Sequence, residues 1–278
     1  MTATQGRPAT ASPRRLNRNL LVGIAFASTV FAAVMLLPFV LPAHTEPALG
    51  SVLAAPSTAH PLGTDQLGRD VLARVLSAMR LDLGVATVAL VGPLIVGSAL
   101  GAAAAWYGGW LDQAVGVLSD VVQAFPYYLL IIVLVFFLGP GMGSIFVAVA
   151  VVAWVSYARI LRSEVQAQLH RDYVAAARGA GLSGRRVLLR HVLPNCFQQP
   201  LAYYATDVVV VVIGTATLSY LGLGIAPPTP ELGSMIADGQ QFIGSRPLLS
   251  VAPGLAVVVI GIAFALLGQG LTEQVDDR

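Results

Sequence analysis

The side chains of this sequence that could carry out chemistry are few. There is one cysteine, Cys196, and no lysine, so all sixteen Lys-or-Arg positions are arginine. A Walker-type phosphate loop needs a lysine to reach the β- and γ-phosphates, and a single thiol is too few for a thiolate metal site. A G-x-S-x-G nucleophile motif is also absent. We therefore predict no metal or cofactor of its own, and no ATPase or serine-hydrolase activity in this chain.

Asp207 is the ionisable residue that stands out, because it interrupts a long apolar segment. A carboxylate inside a membrane helix is expensive and indicates a function or a specific partner. Three interpretations stay open: Asp207 faces a translocation path, pairs with another subunit or backbone, or lies near the cytoplasmic interface. The sequence favours the interface or subunit pairing, since no other ionisable residue accompanies it.

The overall composition points to an integral membrane protein. Of 278 residues, 56% are apolar and 11% are charged, whereas soluble domains carry roughly a quarter charged residues. A transmembrane helix needs about 20 mostly apolar residues, and apolar segments of that length, uncharged except for Asp207, predict an all-α protein with six transmembrane helices. They are residues 20–43, residues 83–111, two helices within residues 121–158 separated by the GPGMG sequence at 139–143, residues 198–221 and residues 247–271.

Arginine is distributed unequally between the two sides of the predicted membrane region. Twelve arginines lie in the N-terminal tail, in residues 159–197 and at Arg278, and four lie in the remaining loops. Because cytoplasmic loops carry the excess of basic residues, both termini and residues 159–197 are predicted to be cytoplasmic. The predicted organisation is listed in chain order: a cytoplasmic tail at 1–19, transmembrane helix 1 at 20–43, an outer loop at 44–82, a core at 83–271 and a cytoplasmic tail at 272–278.

Two loops are predicted to contain ordered helices. In the outer loop, apolar residues recur at helical spacing from Leu67 onward, which predicts an interfacial helix capped by Thr64 or Asp65. In the cytoplasmic loop, residues 172–195 predict two short helices. Asp172 would cap the first, Gly179 or Gly181 would end it, Ser183 would cap the second, and the second would stop before Pro194.

The small residues of the first cytoplasmic helix would allow a partner to approach its backbone closely. This spacing is equally compatible with a docking element and with a basic loop that only follows the charge asymmetry of membrane proteins. A third unusual segment, residues 218–239, combines several prolines and glycines. Such irregular backbone at membrane depth must lie against protein or a water-filled cavity.

Three segments together resemble one family. They are HPLGTDQLGRDVLARV at 60–75, DYVAAARGAGLSGRRVLLRHVLPN at 172–195 and LSYLGLGIAPPTPELGSMIADG at 218–239. In order and spacing they resemble the C-type inner-membrane permease subunits of bacterial dipeptide, oligopeptide and nickel ABC importers, and SDVVQAFP at 119–126 also fits. The resemblance implies a type I ABC importer transmembrane domain in the bacterial cytoplasmic membrane. It also implies the following partners: a second permease in a heterodimer, two ATP-binding subunits or one fused ATPase that bind ATP and Mg²⁺, an extracytoplasmic binding protein and membrane lipid, but no nucleic acid.

In that family the 172–195 segment couples the permease to the ATPase. The residues that the resemblance assigns to this role, with the neighbouring charge of Arg178 added, are Asp172, Tyr173, Ala176, Ala177, Arg178, Gly181, Leu193 and Pro194. The sequence departs from the family at Ala175, where relatives have a glutamate, and a coupling salt bridge from that position is therefore not expected here. It also departs at Leu232, usually tryptophan, and at Thr215, often acidic.

The implied function is ATP-driven import of dipeptides or oligopeptides by a non-catalytic membrane subunit. Permeases for nickel or another small solute share the same architecture and form the alternative. A different class, the proton-coupled secondary transporter, would use Asp207 as its proton site. Such transporters usually contain internal repeats, and no convincing repeat relates the two halves of this sequence.

Overall fold

A computed structural model describes residues 18–40 and 47–276. Most of the predicted N-terminal tail, the beginning of the outer loop and Arg278 lie outside the described residues. Within the described ranges the chain forms eleven α-helices, numbered α1 to α11. They are α1 (Arg18–Val40), α2 (Val71–Tyr107), α3 (Gly109–Gln123), α4 (Tyr127–Leu138), α5 (Met142–Leu169), α6 (Asp172–Gly179), α7 (Gly184–Val187), α8 (Leu193–Cys196), α9 (Gln198–Tyr220), α10 (Leu232–Gln240) and α11 (Leu248–Asp276).

Five of these helices, α1, α2, α5, α9 and α11, are long and apolar enough to cross a membrane. The third predicted span is instead built from two shorter helices, α3 and α4, which meet at an angle of 84°. The bend falls at Pro126, whose ring disfavours helical backbone at the preceding residue. Counting this broken pair as one span gives up to six spans, the number predicted from the sequence.

The outer helix and the second span, which the sequence predicts as separate elements divided near residue 82, form one continuous helix. This helix, α2, has 37 residues and at about 1.5 Å per residue is roughly 55 Å long, well beyond the about 30 Å of the hydrocarbon core. Its cap is Asp70, whose side chain accepts a hydrogen bond from the Ala73 amide. The predicted caps Thr64 and Asp65 are therefore wrong, because neither lies at the start of the helix and Asp65 is used in an ion-pair network described below.

The core of the bundle lies where α2 packs against α5. Gly97 and Gly101 of α2 lie against the backbone carbonyls of Trp154 and Ala158 of α5, where an added Cβ would have no room. Small residues at this four-residue spacing let two membrane helices approach closely, as in other membrane proteins. Around this contact α9 packs on α2 and α11, and α1 packs on α11.

The break predicted at residues 139–143 is confirmed, since α4 ends at Leu138 and α5 begins at Met142. Gly139 and Gly141 both adopt positive φ angles there, a conformation that glycine reaches without a steric cost. The fifth helix then continues to Leu169, eleven residues past the predicted end of its span at residue 158. The segment that is predicted to be cytoplasmic therefore begins as a direct extension of α5.

Candidate functional site

The segment predicted to be cytoplasmic, residues 170–197, folds back onto the end of α5 as a compact unit. Its apolar side chains share a small core with α5 and with Ala102 of α2. The buried members of this core are Ala102, Leu161, Val165, Val174, Val187, Leu188, Val192 and Cys196. Because the core joins the segment to α5 and α2, a displacement of α6 would be transmitted to the membrane helices through direct packing.

The first short helix, α6, presents a surface of small residues to solvent. Ala175, Ala176 and Gly179 are exposed, whereas Val174 is buried in the core just described. Arg178 is exposed and its guanidinium lies 5.1 Å from the centroid of the Trp106 ring, within the range of a cation–π interaction. One face of α6 thus anchors the helix, and the opposite face is left exposed by the described residues.

The turn after α6 is closed by Gly181. Its φ is +80°, the left-handed region, and it follows Ala180 at the end of the helix. The Leu182 amide donates to the Ala177 carbonyl at 3.2 Å and the Gly181 amide donates to the Arg178 carbonyl at 3.0 Å. This pair of hydrogen bonds is the Schellman arrangement, which needs glycine or asparagine at the left-handed position. The predicted role of Gly181 in ending this helix is therefore seen in the geometry.

Two other details of the segment differ from the sequence prediction. Asp172 is the first residue of α6 rather than its cap, and neither Arg171 nor Ser183 at the cap positions makes a side-chain capping bond. The second short helix does not stop before Pro194. It continues from α7 through a π-helical turn at Leu188–Val192 into α8. A proline is tolerated in the first turn of a helix, because its missing N–H would have no intrahelical acceptor there.

The structure brings the predicted coupling residues to the same cytoplasmic segment, on α6, its following turn and α8. Their exposure differs: Asp172, Ala176, Arg178, Gly181 and Pro194 are exposed, while Tyr173, Ala177 and Leu193 are half-buried. Tyr173 donates its hydroxyl hydrogen to Gln168 Oε1 at 2.8 Å, which fixes α6 to the end of α5. Cys196 is buried beneath them, and burial raises the pKa of its thiol to about 12.

Asp207 lies inside the helix bundle. Its side chain is 2% exposed, and Tyr157 of α5 donates its hydroxyl hydrogen to Asp207 Oδ2 at 3.0 Å. Tyr157 in turn packs edge-to-face against Tyr203, with ring centroids 5.4 Å apart. Within the chain the described partner of Asp207 is Tyr157, and the favoured interpretation, subunit pairing or an interfacial position, stays a prediction.

Sequence reasoning missed two ion pairs that connect α3 to α5. Arg162 binds Asp112 through two nitrogens, at 2.5 and 2.8 Å, and Arg159 binds Asp120 at 2.6 Å. The sequence prediction counted Arg159 and Arg162 only among the arginines that indicate the cytoplasmic side. The pairs flank a cavity of about 600 Å³ between the two helices. The signal that could have found them is the presence of two aspartates on the otherwise uncharged α3.

A second network missed by the sequence analysis organises the outer segment. Arg69 Nε donates to Asp65 Oδ2 at 2.7 Å, Arg74 binds the same oxygen, and all three residues are buried. Burial opposes ionisation of Asp65, but the Arg69 and Leu67 amides and the two guanidinium groups outweigh it and lower the pKa of this carboxyl. His60 Nδ1 lies 2.8 Å from Asp70 Oδ2 at the start of α2. Within residues 18–40 and 47–276, no three His, Cys, Asp or Glu side chains converge as metal ligands would.

These features define a multi-pass membrane protein with an exposed short helix, α6, fixed to its bundle, and comparison with known proteins gives the class. Residues 97–278 match the family described as binding-protein-dependent transport system inner membrane component. The chain is 32% identical over 265 residues to the dipeptide transport system permease protein DppC of Alkalihalophilus pseudofirmus, covering 94% of this chain and 86% of that protein. It is 36% identical over 228 residues to the nickel transport system permease protein NikC of Escherichia coli, covering 82% of each.

A solved structure of the MetNI methionine ABC transporter in an inward-facing conformation shares the fold. Its TM-score is 0.58 at 16% identity, and the match covers 73% of this chain and 97% of that chain. The chain belongs to the family of binding-protein-dependent transport system inner membrane components. It is an ABC importer permease of the peptide-type group, with the type I transmembrane fold, in the inner membrane. The resemblance predicted from residues 60–75, 172–195 and 218–239 is thereby confirmed.

Proposed function

We propose that this permease moves dipeptides or oligopeptides from the outside to the cytoplasm, and that α6 is the element through which ATP hydrolysis drives the transport. The observation that carries the proposal is the unoccupied face of α6. A helix of small residues, closed by the Gly181 turn and fixed to α5 and α2 by a common core, is exposed at the predicted cytoplasmic end. Small residues admit the close backbone approach that a docking cleft requires.

In this proposal the chain is a non-catalytic subunit. It pairs with a second permease as a heterodimer, and either two ATP-binding subunits or one fused ATPase bind ATP and Mg²⁺ below it. An extracytoplasmic binding protein delivers the solute to the outer face. The absence of lysine, and with it of a Walker loop, supports assigning the nucleotide to the partners.

The transport step requires a bundle with two arrangements that the ATPases can bias. Closure of the ATPases would draw the two permeases' coupling helices together. Because Val174 of α6 belongs to the same buried core as Leu161 and Val165 of α5, the displacement passes through this core to α5 and from there to α3 through the Arg162–Asp112 pair. The membrane bundle then changes between inward-facing and outward-facing states.

The peptide assignment is supported by the DppC alignment, which extends over 94% of this chain at 32% identity. The NikC alignment covers less of the chain, 82%, at a higher identity of 36%, so nickel is the alternative that the experiment must separate. The test is uptake into proteoliposomes that contain the complete importer, with labelled dipeptides, tripeptides and Ni²⁺ offered in parallel to its binding protein. ATP-dependent accumulation of peptides is expected. Accumulation of Ni²⁺ alone would replace the peptide assignment with the metal one.

The same preparation tests the energy source. A matched importer whose ATPase Walker lysines are replaced by alanine should bind peptide-loaded binding protein but accumulate nothing. Liposomes that contain only this chain should show no uptake when a proton gradient is imposed. Proton-driven accumulation by the isolated chain would identify a secondary transporter and contradict the proposal.

A further inference from the structure

Two carboxyl groups are buried together at the outer end of the bundle. Asp82 lies on α2 and Glu231 caps α10, and both are 0% exposed. The Leu232 amide, which follows Glu231 in the chain, donates to Asp82 Oδ2 at 3.2 Å, across 150 residues of sequence. Glu231 Oε2 accepts the Ser234 amide at 2.8 Å, and the charges of the two carboxyl groups are close enough to interact.

Each of these carboxyl groups keeps one oxygen without a partner. Asp82 Oδ1 and Glu231 Oε1 are fully buried and receive no hydrogen bond from any described residue. An unpartnered buried polar atom costs the full desolvation of that atom, and here the two orphaned atoms belong to adjacent acids. Each of these two oxygens therefore needs a hydrogen-bond donor that no side chain of the described residues supplies.

No basic side chain in the described part of the chain neutralises the pair. Arg69 and Arg74 both bind Asp65, His60 binds Asp70, and Arg246 donates to the Leu53 carbonyl. Toward the same end of the bundle, the titratable and charged groups on the surrounding elements are Arg74 and Arg80 on α2, Tyr220 on α9, Asp238 on α10, His60, Asp65, Arg69 and Asp70 in the outer segment, and Arg246 before α11, while Tyr107 on α2 and Tyr203, Tyr204 and Asp207 on α9 lie farther along their helices. None of them forms a salt bridge with either carboxyl group.

We propose that Asp82 and Glu231 form a proton-binding site, in which one proton is held between Asp82 Oδ1 and Glu231 Oε1 and fastens the outer connector, residues 221–231, to α2. Two like charges buried side by side cannot both ionise without a large cost, whereas an acid that donates to a neighbouring carboxylate satisfies both orphaned oxygens at once. Ser219 of α9 lies beside Glu231, and burial raises the pKa of this carboxyl. The ligand is a proton from the outer aqueous phase, and its loss leaves two adjacent buried charges that repel.

The site has a consequence for the stability of the folded bundle. The folded pair retains a proton at a pH where the two acids of the unfolded chain, with ordinary pKa values of about 4, have released theirs. Stability then falls as pH rises above that range, by about tenfold in the unfolding equilibrium constant per pH unit for one proton, until the folded pair itself ionises. This stability is fully present at lower pH and is lost in the alkaline direction.

Infrared difference spectroscopy of the full-length protein in lipid nanodiscs tests the site directly. A protonated-carboxyl C=O band is expected at neutral pH, and it should disappear in the double variant Asp82→Asn, Glu231→Gln. Measurements are made in an Asp207→Asn background, so that the other buried carboxyl group does not contribute. Asp238→Asn, which removes an exposed acid from the same helix α10, is the matched control and should leave the band unchanged.

Thermal unfolding between neutral and alkaline pH gives the second measurement. The wild type should lose stability with the slope of one proton, and the double variant should lose this dependence. Identical neutral-pH spectra of wild type and double variant would mean that both carboxyl groups are ionised and would overturn the proposal. Stabilisation of the wild type but not the double variant by millimolar Mg²⁺ or Ca²⁺ would also overturn it, since a cation would then occupy the site. Neither readout depends on which solute the importer moves.

Discussion

Arg162 of α5 holds both carboxylate oxygens of Asp112 of α3, at 2.5 and 2.8 Å. The contact is a bidentate fork, the geometry in which arginine binds a carboxylate most strongly. It joins the helix that leads directly into α6 to the first half of the broken span, across the wall of a cavity of about 600 Å³. Apolar packing of Val115 against α5 and the more exposed Arg159–Asp120 pair join the same two helices.

The first prediction is that exchanging the charges of Asp112 and Arg162 in a double variant restores the ATP-driven uptake that each single charge reversal lowers. Asp112→Arg and Arg162→Asp each place two like charges together, and we expect a several-fold loss of ATP-driven uptake with normal membrane insertion. The double variant should recover most of the uptake, with a coupling free energy of about 0.5–3 kcal/mol in a double-mutant cycle of stability.

The neighbouring Arg159–Asp120 pair provides the control for that experiment. Its side chains are 48% and 74% exposed, against 38% and 25% for Arg162 and Asp112. Exposed ion pairs contribute only about 0–1 kcal/mol, so the same reversals there should change uptake little. Equal losses at both pairs, or no recovery in the Asp112–Arg162 double variant, would show that this contact does not transmit the motion.

The helices themselves were largely predictable, because apolar length and glycine or proline breaks are local signals. The break at 139–143 and the Gly181 turn are such cases. The division of α2 at residue 82 was wrong because Asp82, which looked like the edge of the membrane segment, is buried inside the protein. The partners of Asp207 and Asp82 could not be predicted, since Tyr157 and the Leu232 amide come close to them only in the folded bundle.

The second prediction concerns the orientation of the chain in the membrane, which is inferred from the arginine distribution. In a Cys196→Ser background, single cysteines are introduced at the exposed positions Ser57, Ser183 and Ser245. An impermeant thiol reagent added to intact cells should label positions 57 and 245, while position 183 should be labelled only after the membrane is opened. Labelling of Ser183→Cys from outside would reverse the proposed cytoplasmic placement of both termini and of residues 159–197.

A third experiment separates a structural role of Asp207 from a proton-carrying one. Asp207→Asn keeps an oxygen that accepts from Tyr157, so we expect near-normal ATP-driven uptake. Tyr157→Phe removes the donor and should lower stability by roughly 0.5–2 kcal/mol, the range for hydrogen bonds between membrane helices. Tyr220→Phe, which loses an exposed hydroxyl contact to Gln240, is the control. A fully assembled Asp207→Asn importer without uptake would instead support a functional proton or substrate contact.

The fourth prediction is an acid-dependent loosening of the outer segment. The pKa of Asp65 is lowered in the folded protein, so its stabilising contribution is present above the ordinary pKa of about 4 and is lost as pH falls through the lowered folded value. Asp65→Asn should remove the contribution at every pH and, by leaving two buried guanidinium groups unpaired, should cost about 3–5 kcal/mol.

Protease accessibility of residues 47–70 from the outside, measured against pH, checks the prediction for Asp65. The wild type should become sensitive only in strong acid, whereas Asp65→Asn should be cleaved already at neutral pH. Asp238→Asn should behave as the wild type, because Asp238 is exposed. Equal cleavage of the wild type and Asp65→Asn at neutral pH would show that Asp65 does not hold this segment in place.

The last prediction is that the turn at Gly181 and the exposed face of α6 are both needed for coupling. Nothing lies within 4 Å of a Cβ added at Gly181, so a substitution there acts through backbone conformation alone. Gly181→Val should strain the left-handed turn by about 1–3 kcal/mol and displace α6, while Gly181→Asn, a residue that tolerates this conformation, should retain uptake.

Ala176→Leu and Ala177→Leu should act by steric exclusion, with Ala176 the cleaner test because its side chain is exposed. These variants should insert normally, since they touch no membrane helix, but should lose the ATPase subunits on purification or lose the stimulation of ATP hydrolysis by loaded binding protein. If Gly181→Val and Ala176→Leu both keep normal uptake and normal stimulation, residues 172–195 are only a basic loop, and the coupling role must be assigned to another part of the chain.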